Sequence, residues 1–146
     1  MIIPDTDILS IVQRADGPDY GIFVERLDAA EDEVAVTIVS FEDQMRGRLA
    51  FIARAKTPDQ QINGYAKLHA LLEDFTTRPI LDFDQDSLIE FERLKRSKVR
   101  IGTMDLKIAA ISLAHDALLL SRNLADFRKV PGLRMSDWTQ GSQEVR

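Results

Sequence analysis

The 146-residue chain contains no cysteine. Disulfides, thiolate zinc sites and cysteine nucleophiles are thereby excluded together, and a reducing compartment suits the composition. Histidine is scarce too. His69 and His115 stand alone inside expected helices, without a partner at metal-ligand spacing, and read as core or surface residues. None of the seven glycines falls into Gly-x-x-x-x-Gly-Lys-Ser/Thr or Gly-x-Gly-x-x-Gly, so nucleotide-cradling loops gain no support. No apolar run approaches the roughly 20 residues that span a bilayer. The N-terminus has neither a basic region nor an apolar one behind it. A soluble, cytoplasmic protein is the expectation.

What is present is an ordinary globular composition, 45% hydrophobic and 29% charged. The length suits one domain with a real core, expected over residues 1–138 and followed by a polar tail at 139–146. A net charge of −5 argues mildly against non-specific nucleic-acid binding. The cations are nonetheless grouped. Arg93, Lys95, Arg96, Lys98 and Arg100 form one run, Arg46, Arg48, Arg54 and Lys56 a second, and Arg122, Arg128 and Lys129 flank Asp126. Standing alone, such runs read as solvated helix faces.

Apolar runs and helical stripes alternate along the chain. Ile2 to Asp5 reads as a short buried strand closed by Asp-Thr-Asp, and Ile8, Leu9, Ile11 and Val12 continue it as a helical stripe. Beyond Gly17-Pro18, the residues Ile22, Phe23 and Leu27 mark a helix over 19–30. The β-branched run Val34 to Val39 is the best strand. Ser40 then opens a helix carrying Phe41, Met45, Leu49 and Ile52, and Pro58 starts another with the stripe Ile62, Tyr65, Leu68, Leu72 and Phe75. The two make a helical hairpin. A strand at 80–83, a helix at 85–96, a helix at 105–115, a strand at 118–120 and an edge strand at 133–135 complete the order. Strands alternating with helices mean an α/β fold with a mostly parallel sheet and right-handed crossovers.

Four acids punctuate that order: Asp5, Glu42, Asp105 and Asp126. Each has a local explanation. Asp5 or Thr6 caps a helix, Ser40-x-x-Asp43 has the form of a capping box with Glu42 in the first turn, Thr103 caps the helix of Asp105, and Asn123-x-x-Asp126 repeats the form. Together they say more. Each lies at a helix start where an open α/β sheet has its ligand crevice, beyond the carboxyl ends of the strands. Carboxylates gathered there repel one another and call for a hard divalent cation such as Mg²⁺ or Mn²⁺. One or two such ions suit phosphoryl chemistry, holding a phosphate and acidifying a water.

At this point the motifs resemble a known family, the PIN-domain ribonucleases, and within it the VapC-type toxins of bacterial toxin–antitoxin pairs. The resemblance rests on Pro-Asp-Thr-Asp-Ile-Leu-Ser at 4–10, Thr-Ile-Val-Ser-Phe-Glu-Asp-Gln-Met-Arg-Gly at 37–47, Arg-Ile-Gly-Thr-Met-Asp-Leu-Lys-Ile-Ala-Ala at 100–110, and Leu-Ser-Arg-Asn-Leu-Ala-Asp-Phe-Arg-Lys-Val-Pro-Gly-Leu at 120–133, with Ser-Asp-Trp at 136–138. It implies a three-layer α/β/α sandwich and a metal-dependent endoribonuclease of transfer or ribosomal RNA, usually a homodimer, restrained by a cognate antitoxin. It also implies that Asp5 and Asp105 are the principal ligands of Mg²⁺ or Mn²⁺ and Glu42 the third acid. The fourth position falls to Asp126 or to Asn123, since family members differ there; Asp126 is preferred, with Asn123 positioning it. Thr6 and Ser121 match hydroxyls lining the site. The basic stretches 93–100 and 122–129 become candidates for RNA contacts, and the hairpin at 40–77 a candidate groove for an amphipathic antitoxin segment.

Two other readings compete. Asp5-Thr6-Asp7 imitates the nucleophile motif of haloacid dehalogenase-type phosphohydrolases, which also require a later lysine and a paired-acid motif, but Gly102-Thr103-Met104-Asp105 offers only one acid and the chain is short for that fold. A non-catalytic RNA- or partner-binding module of the same fold is the second, kept open by the asparagine at 123.

Overall fold

A computed structural model describes residues 1–140. Among these, five short strands alternate with seven helices: β1 (Ile2–Pro4), α1 (Thr6–Arg14), α2 (Gly17–Ala29), β2 (Val36–Thr37), α3 (Ile38–Arg54), α4 (Pro58–Phe75), β3 (Ile80–Leu81), α5 (Gln85–Arg96), α6 (Thr103–Ala114), β4 (Leu118–Leu120), α7 (Leu124–Phe127) and β5 (Arg134–Ser136). All strand pairings are parallel. Ile3 lies opposite Leu119, Leu119 opposite Met135, and Val36 opposite Ile80. A parallel bridge between Ile2 and Val34 joins the two ladders, with Ile2 N–H donating to the Glu33 carbonyl and Ala35 N–H to that of Ile2. The resulting order is β3-β2-β1-β4-β5.

Alternation along the strands explains the layering. Ile3 of β1 and Leu119 of β4 face one side and pack with Leu94, Leu106, Ile108, Ile111 and Phe127 of α5, α6 and α7. Ile2 and Leu120 face the other, against Ile8, Ile11 and Phe23 of α1 and α2. Leu9, Val36, Leu71 and Phe75 extend that second core beneath α4. The fold is therefore the three-layer α/β/α sandwich with a parallel sheet. Helix α6 is buried almost all round, as its unbroken Leu-Lys-Ile-Ala-Ala-Ile-Ser-Leu-Ala run requires. It leads directly into β4 and runs against it, which puts its N-terminus at the carboxyl edge of the sheet.

The structure corrects two local expectations. The strand expected over 34–39 stops at Thr37, whose hydroxyl accepts a hydrogen bond from Ser40 N–H at 3.0 Å and caps α3. That cap turns Ile38 and Val39 helical despite their β-branched side chains, so α3 starts two residues before Ser40. In the hairpin, the buried face of α4 is Gly64, Leu71 and Phe75, whereas Ile62, Tyr65 and Leu72 of the expected core stripe are exposed. Gly64 explains the seating: a Cβ there would lie 2.9 Å from Ile52 Cγ1 and 3.2 Å from Phe51 Cδ1, so the helices meet closely where it has no side chain.

Thr139 is buried and bonds to Asp137, so packing continues past residue 138. The rest of the expected tail, 141–146, lies outside the described residues.

Candidate active site

The first acid arises where a strand ends and a helix begins. Asp5 N–H donates to the Leu120 carbonyl, extending the β1–β4 ladder by one bond, while the Asp5 carboxylate caps α1 by accepting from Ile8 N–H at 2.9 Å. It is 4% exposed. Burial pushes its pKa up from 3.8 to about 6, against the pull of the Ser121 hydroxyl and the Ile8 N–H, with Asp7 and Asp105 adding repulsion. Ser121, fully buried at the end of β4, also accepts from Asn123 N–H at 2.8 Å.

Asp105 stands in the first turn of α6, half-buried. Burial raises its pKa, followed by repulsion from Asp126, Asp43 and Asp7. Asp126, on the single turn of α7, is held differently. Asn123 Nδ2 donates to its Oδ2 at 2.9 Å and Lys129 Nζ lies 3.4 Å from its Oδ1; these contacts, the Asn123 bond first, lower its pKa. Asn123 occupies the N-cap position of α7 without capping it, its amide being spent on Asp126. Both alternatives for the fourth position thus form one unit.

Glu42 is held by a cation on its own helix. Its carboxylate accepts from Arg46 at 2.6 Å, one turn along α3 on the solvent side. The neighbouring acid Asp43 is the one that repels Asp105. The turn of α3 separates the two acids. Around an α-helix, Asp43 lies about 60° from Ser40 and Glu42 about 160° from it. Ser40 marks the inward face, fully buried and accepting from Thr6 Oγ1 at 3.2 Å and from Thr37 Oγ1 at 3.3 Å. Asp7 is the other acid missed by sequence reasoning. It repels both Asp5 and Asp105, while Arg122 neutralises it from outside, with Nε 2.9 Å from Asp7 and Nη1 2.8 Å from Asp19 of α2. The heptapeptide at 4–10 already contained that signal, since Asp7 follows Asp5 by two residues.

The histidines lie elsewhere: His69 pairs with Glu73 on the exposed face of α4, and His115 ends α6. Lys107 sits about 5.9 Å from the rings of Phe83 and Phe91, a packing role.

Asp5 therefore lies in the field of Asp105, with no ion pair to either among the described residues. Nor does any group of three or more acids or histidines among them form a ready cation cage. Mg²⁺ commonly takes one or two carboxylates and keeps several waters, so two uncompensated oxygen donors with further acids nearby fit a hard divalent ion. No helix among the described residues is long and apolar enough to cross a membrane.

Comparison with known proteins follows the same line. The tRNA(fMet)-specific endonuclease VapC of Salmonella typhimurium is 30% identical over 74 residues, which make up 47% of this chain and 56% of that protein. Ribonuclease VapC2 of Haemophilus influenzae is 34% identical over 74 residues, with the same shares of 47% and 56%. The match thus spans little more than half the length of these curated relatives. Among solved structures, VapBC-1 from nontypeable Haemophilus influenzae superposes with a TM-score of 0.71 at 23% identity, covering 96% of this chain and 100% of the other. A toxin–antitoxin complex from Klebsiella pneumoniae gives a TM-score of 0.65 at 20% identity, covering 94% and 98%. No protein-family model matches the chain. The resemblance to VapC-type PIN-domain ribonucleases is borne out in fold over nearly the whole chain and in sequence over about half of it.

Proposed function

We propose that this chain is a metal-dependent endoribonuclease, the toxin of a VapC-type toxin–antitoxin pair. The observation that carries the reading is the pair Asp5 and Asp105, one buried and one half-buried carboxylate without an ion-pair partner among the described residues, at the carboxyl edge of a parallel sheet and with further acids around them. The likeness to VapC ribonucleases supports RNA as the substrate.

Asp5 and Asp105 would hold Mg²⁺ or Mn²⁺, with Asp43 and Asp126 completing the acidic rim. When bound, such an ion supplies charge neutralisation for a phosphodiester and acidifies a water for in-line attack. The chain's own residues do the positioning. The Ile8 N–H and the Ser121 hydroxyl fix the Asp5 carboxylate, and Asn123 fixes that of Asp126. The hydroxyls of Thr6, Ser40 and Thr37 tie α1 to the start of α3, which sets Asp43 relative to Asp5. Arg122 spends its charge on Asp7 and Asp19, leaving the inner acids unneutralised. No histidine serves as acid or base in this scheme. We assign Glu42, read from the sequence as the third acid, to the helix surface with Arg46, and Asp43 to the site.

The antitoxin and a second copy of the chain are the partners this reading implies. The outward apolar residues of the hairpin, Leu49, Ile62, Tyr65 and Leu72, are suited to an amphipathic partner helix.

The test is cleavage of total RNA by the purified protein with Mg²⁺ or Mn²⁺. Fragments should appear with metal, vanish with chelator and vanish in Asp5→Ala. RNA binding without cleavage under either ion would move the chain to the non-catalytic reading.

A further inference from the structure

A second polar feature lies on the far side of α1 from its capped end. Arg14 of α1, Arg48 of α3 and Lys67 of α4 line a cavity of about 570 Å³, together with Ser10, Gln13 and Asp74. The charges do not cancel. Asp74 accepts from Gln13 Nε2 at 2.8 Å and lies 3.5 Å from Arg78, so it is already engaged. Lys67 rests over the Phe51 ring at 4.6 Å, and Arg14 touches only Asp16, at 4.0 Å, in the ion pairs of the described residues. Arg48 is the sharpest case: its Nε is buried and donates to nothing among the described residues. A buried donor without an acceptor is destabilising, more so on a charged group, and calls for a missing partner. In a chain of net charge −5, this is a local cationic pocket in which three cations meet one acid already engaged elsewhere.

Its position says which anion. Residues 10–14 follow Asp5 down α1 by about 8–14 Å of helix rise. Ser10 and Gln13 share hydrogen bonds with Gln44, one residue after Asp43 and one turn before Arg48. The α1–α3 seam therefore runs from the carboxylate centre to the cationic pocket, a span of a few nucleotides. A strand whose scissile phosphate lies at the acids would meet the cations with a neighbouring phosphate, to which a guanidinium offers forked donors.

We propose that the pocket formed by Arg14, Arg48 and Lys67 takes a backbone phosphate of the RNA strand a few nucleotides from the scissile bond, an inference that rests on the endoribonuclease reading. The pocket thereby gives the acidic site its grip on a polyanion.

Fluorescence anisotropy of a labelled single-stranded RNA in chelator measures binding without cleavage. Compared with wild type, Arg48→Gln/Lys67→Gln should bind at least about fivefold more weakly and show a salt slope smaller by roughly 1. Arg14→Gln, at an exposed position where folding is not at stake, should shift both in the same direction by less. Arg134→Gln, removing a cation paired with Asp116 on β5, should leave the isotherm in place. With Mg²⁺, the double variant should raise KM and keep kcat. If wild type cleaves RNA and both pocket variants bind it as tightly as wild type, the pocket assignment is overturned and the nuclease reading stands. If the RNA isotherms coincide and only binding of an oligo-glutamate peptide weakens, the pocket belongs to an acidic protein segment and the proposal fails. If wild type neither binds nor cleaves RNA, both readings fall.

Discussion

Replacing Asp5 by asparagine should stabilise the metal-free protein while abolishing its activity. The reason is the free energy held in one buried carboxylate, whose pKa rises from 3.8 to about 6 on folding. A difference of that size is worth about 3 kcal/mol at neutral pH, where Asp5 must be ionised in a site that resists it. The sign follows from the direction of the shift. Below pH 3.8 the carboxyl is neutral in both states and burial carries no charge penalty; the penalty grows as pH rises and is complete above about 6. Asparagine keeps an oxygen to cap α1 at Ile8 N–H. After the cost of burying its amide, a gain of about 1–2 kcal/mol remains, or roughly 2–8 °C in Tm for a chain of this size. Thermal unfolding in chelator at pH 7.5 and at pH 4 measures it. The two proteins should differ at pH 7.5 and converge at pH 4. Adding Mg²⁺ should raise the Tm of wild type and leave Asp5→Asn nearly unmoved, since binding stabilises only the protein that binds. An Asp5→Asn protein no more stable than wild type at pH 7.5, or equally stabilised by Mg²⁺, would refute the reasoning.

Other substitutions probe other parts of the account. Asp43→Asn should reduce RNA cleavage by at least about a hundredfold, on the scale of losing one group that stabilises a transition state, whereas Glu42→Gln should leave kcat within about threefold and remove only an exposed ion pair; steady-state kinetics on one RNA substrate separates them. Gly64→Ala should destabilise the fold by about 1–2 kcal/mol in urea unfolding, because crowding against Ile52 and Phe51 outweighs the roughly 1 kcal/mol of helix propensity gained. Ala15, which ends α1 with φ at 54°, is in the left-handed region that favours glycine. Ala15→Gly should therefore raise stability by about 1 kcal/mol in the same assay.

Much of this molecule was legible before its structure, for physical reasons. Ile-Ile-Pro-Asp-Thr-Asp announces a strand end and a helix cap at once, and both demands fall on Asp5, so its place at the sheet edge followed from local rules. Asp105 was equally clear, because the apolar run behind it could only be a buried helix leading into β4. The third acid was harder. Glu42 and Asp43 are neighbours about 100° apart on α3, and the face that turns inward is marked by Ser40, buried against hydroxyls of Thr6 and Thr37 from other parts of the chain. The hairpin formed as expected but its buried face was misread: Ile62, Tyr65 and Leu72 make a good apolar stripe, yet α4 turns Gly64 to α3, where a residue without Cβ allows the close approach. The cationic pocket drew residues from three helices, and no sequence window brings Arg14, Arg48 and Lys67 together.

The most direct measurement of the central claim is the chemistry of the ends left on a cleaved RNA. Hydrolysis at a carboxylate–metal centre, with water as the nucleophile and no histidine, predicts a 5′-phosphate on one product and a 3′-hydroxyl on the other. Mass spectrometry of fragments from a defined RNA, cut by the purified protein with Mn²⁺, reads both ends. A 2′,3′-cyclic phosphate with a 5′-hydroxyl, formed equally well in chelator, would contradict the account, because it would make the RNA's own 2′-hydroxyl the nucleophile and leave Asp5 and Asp105 without a role.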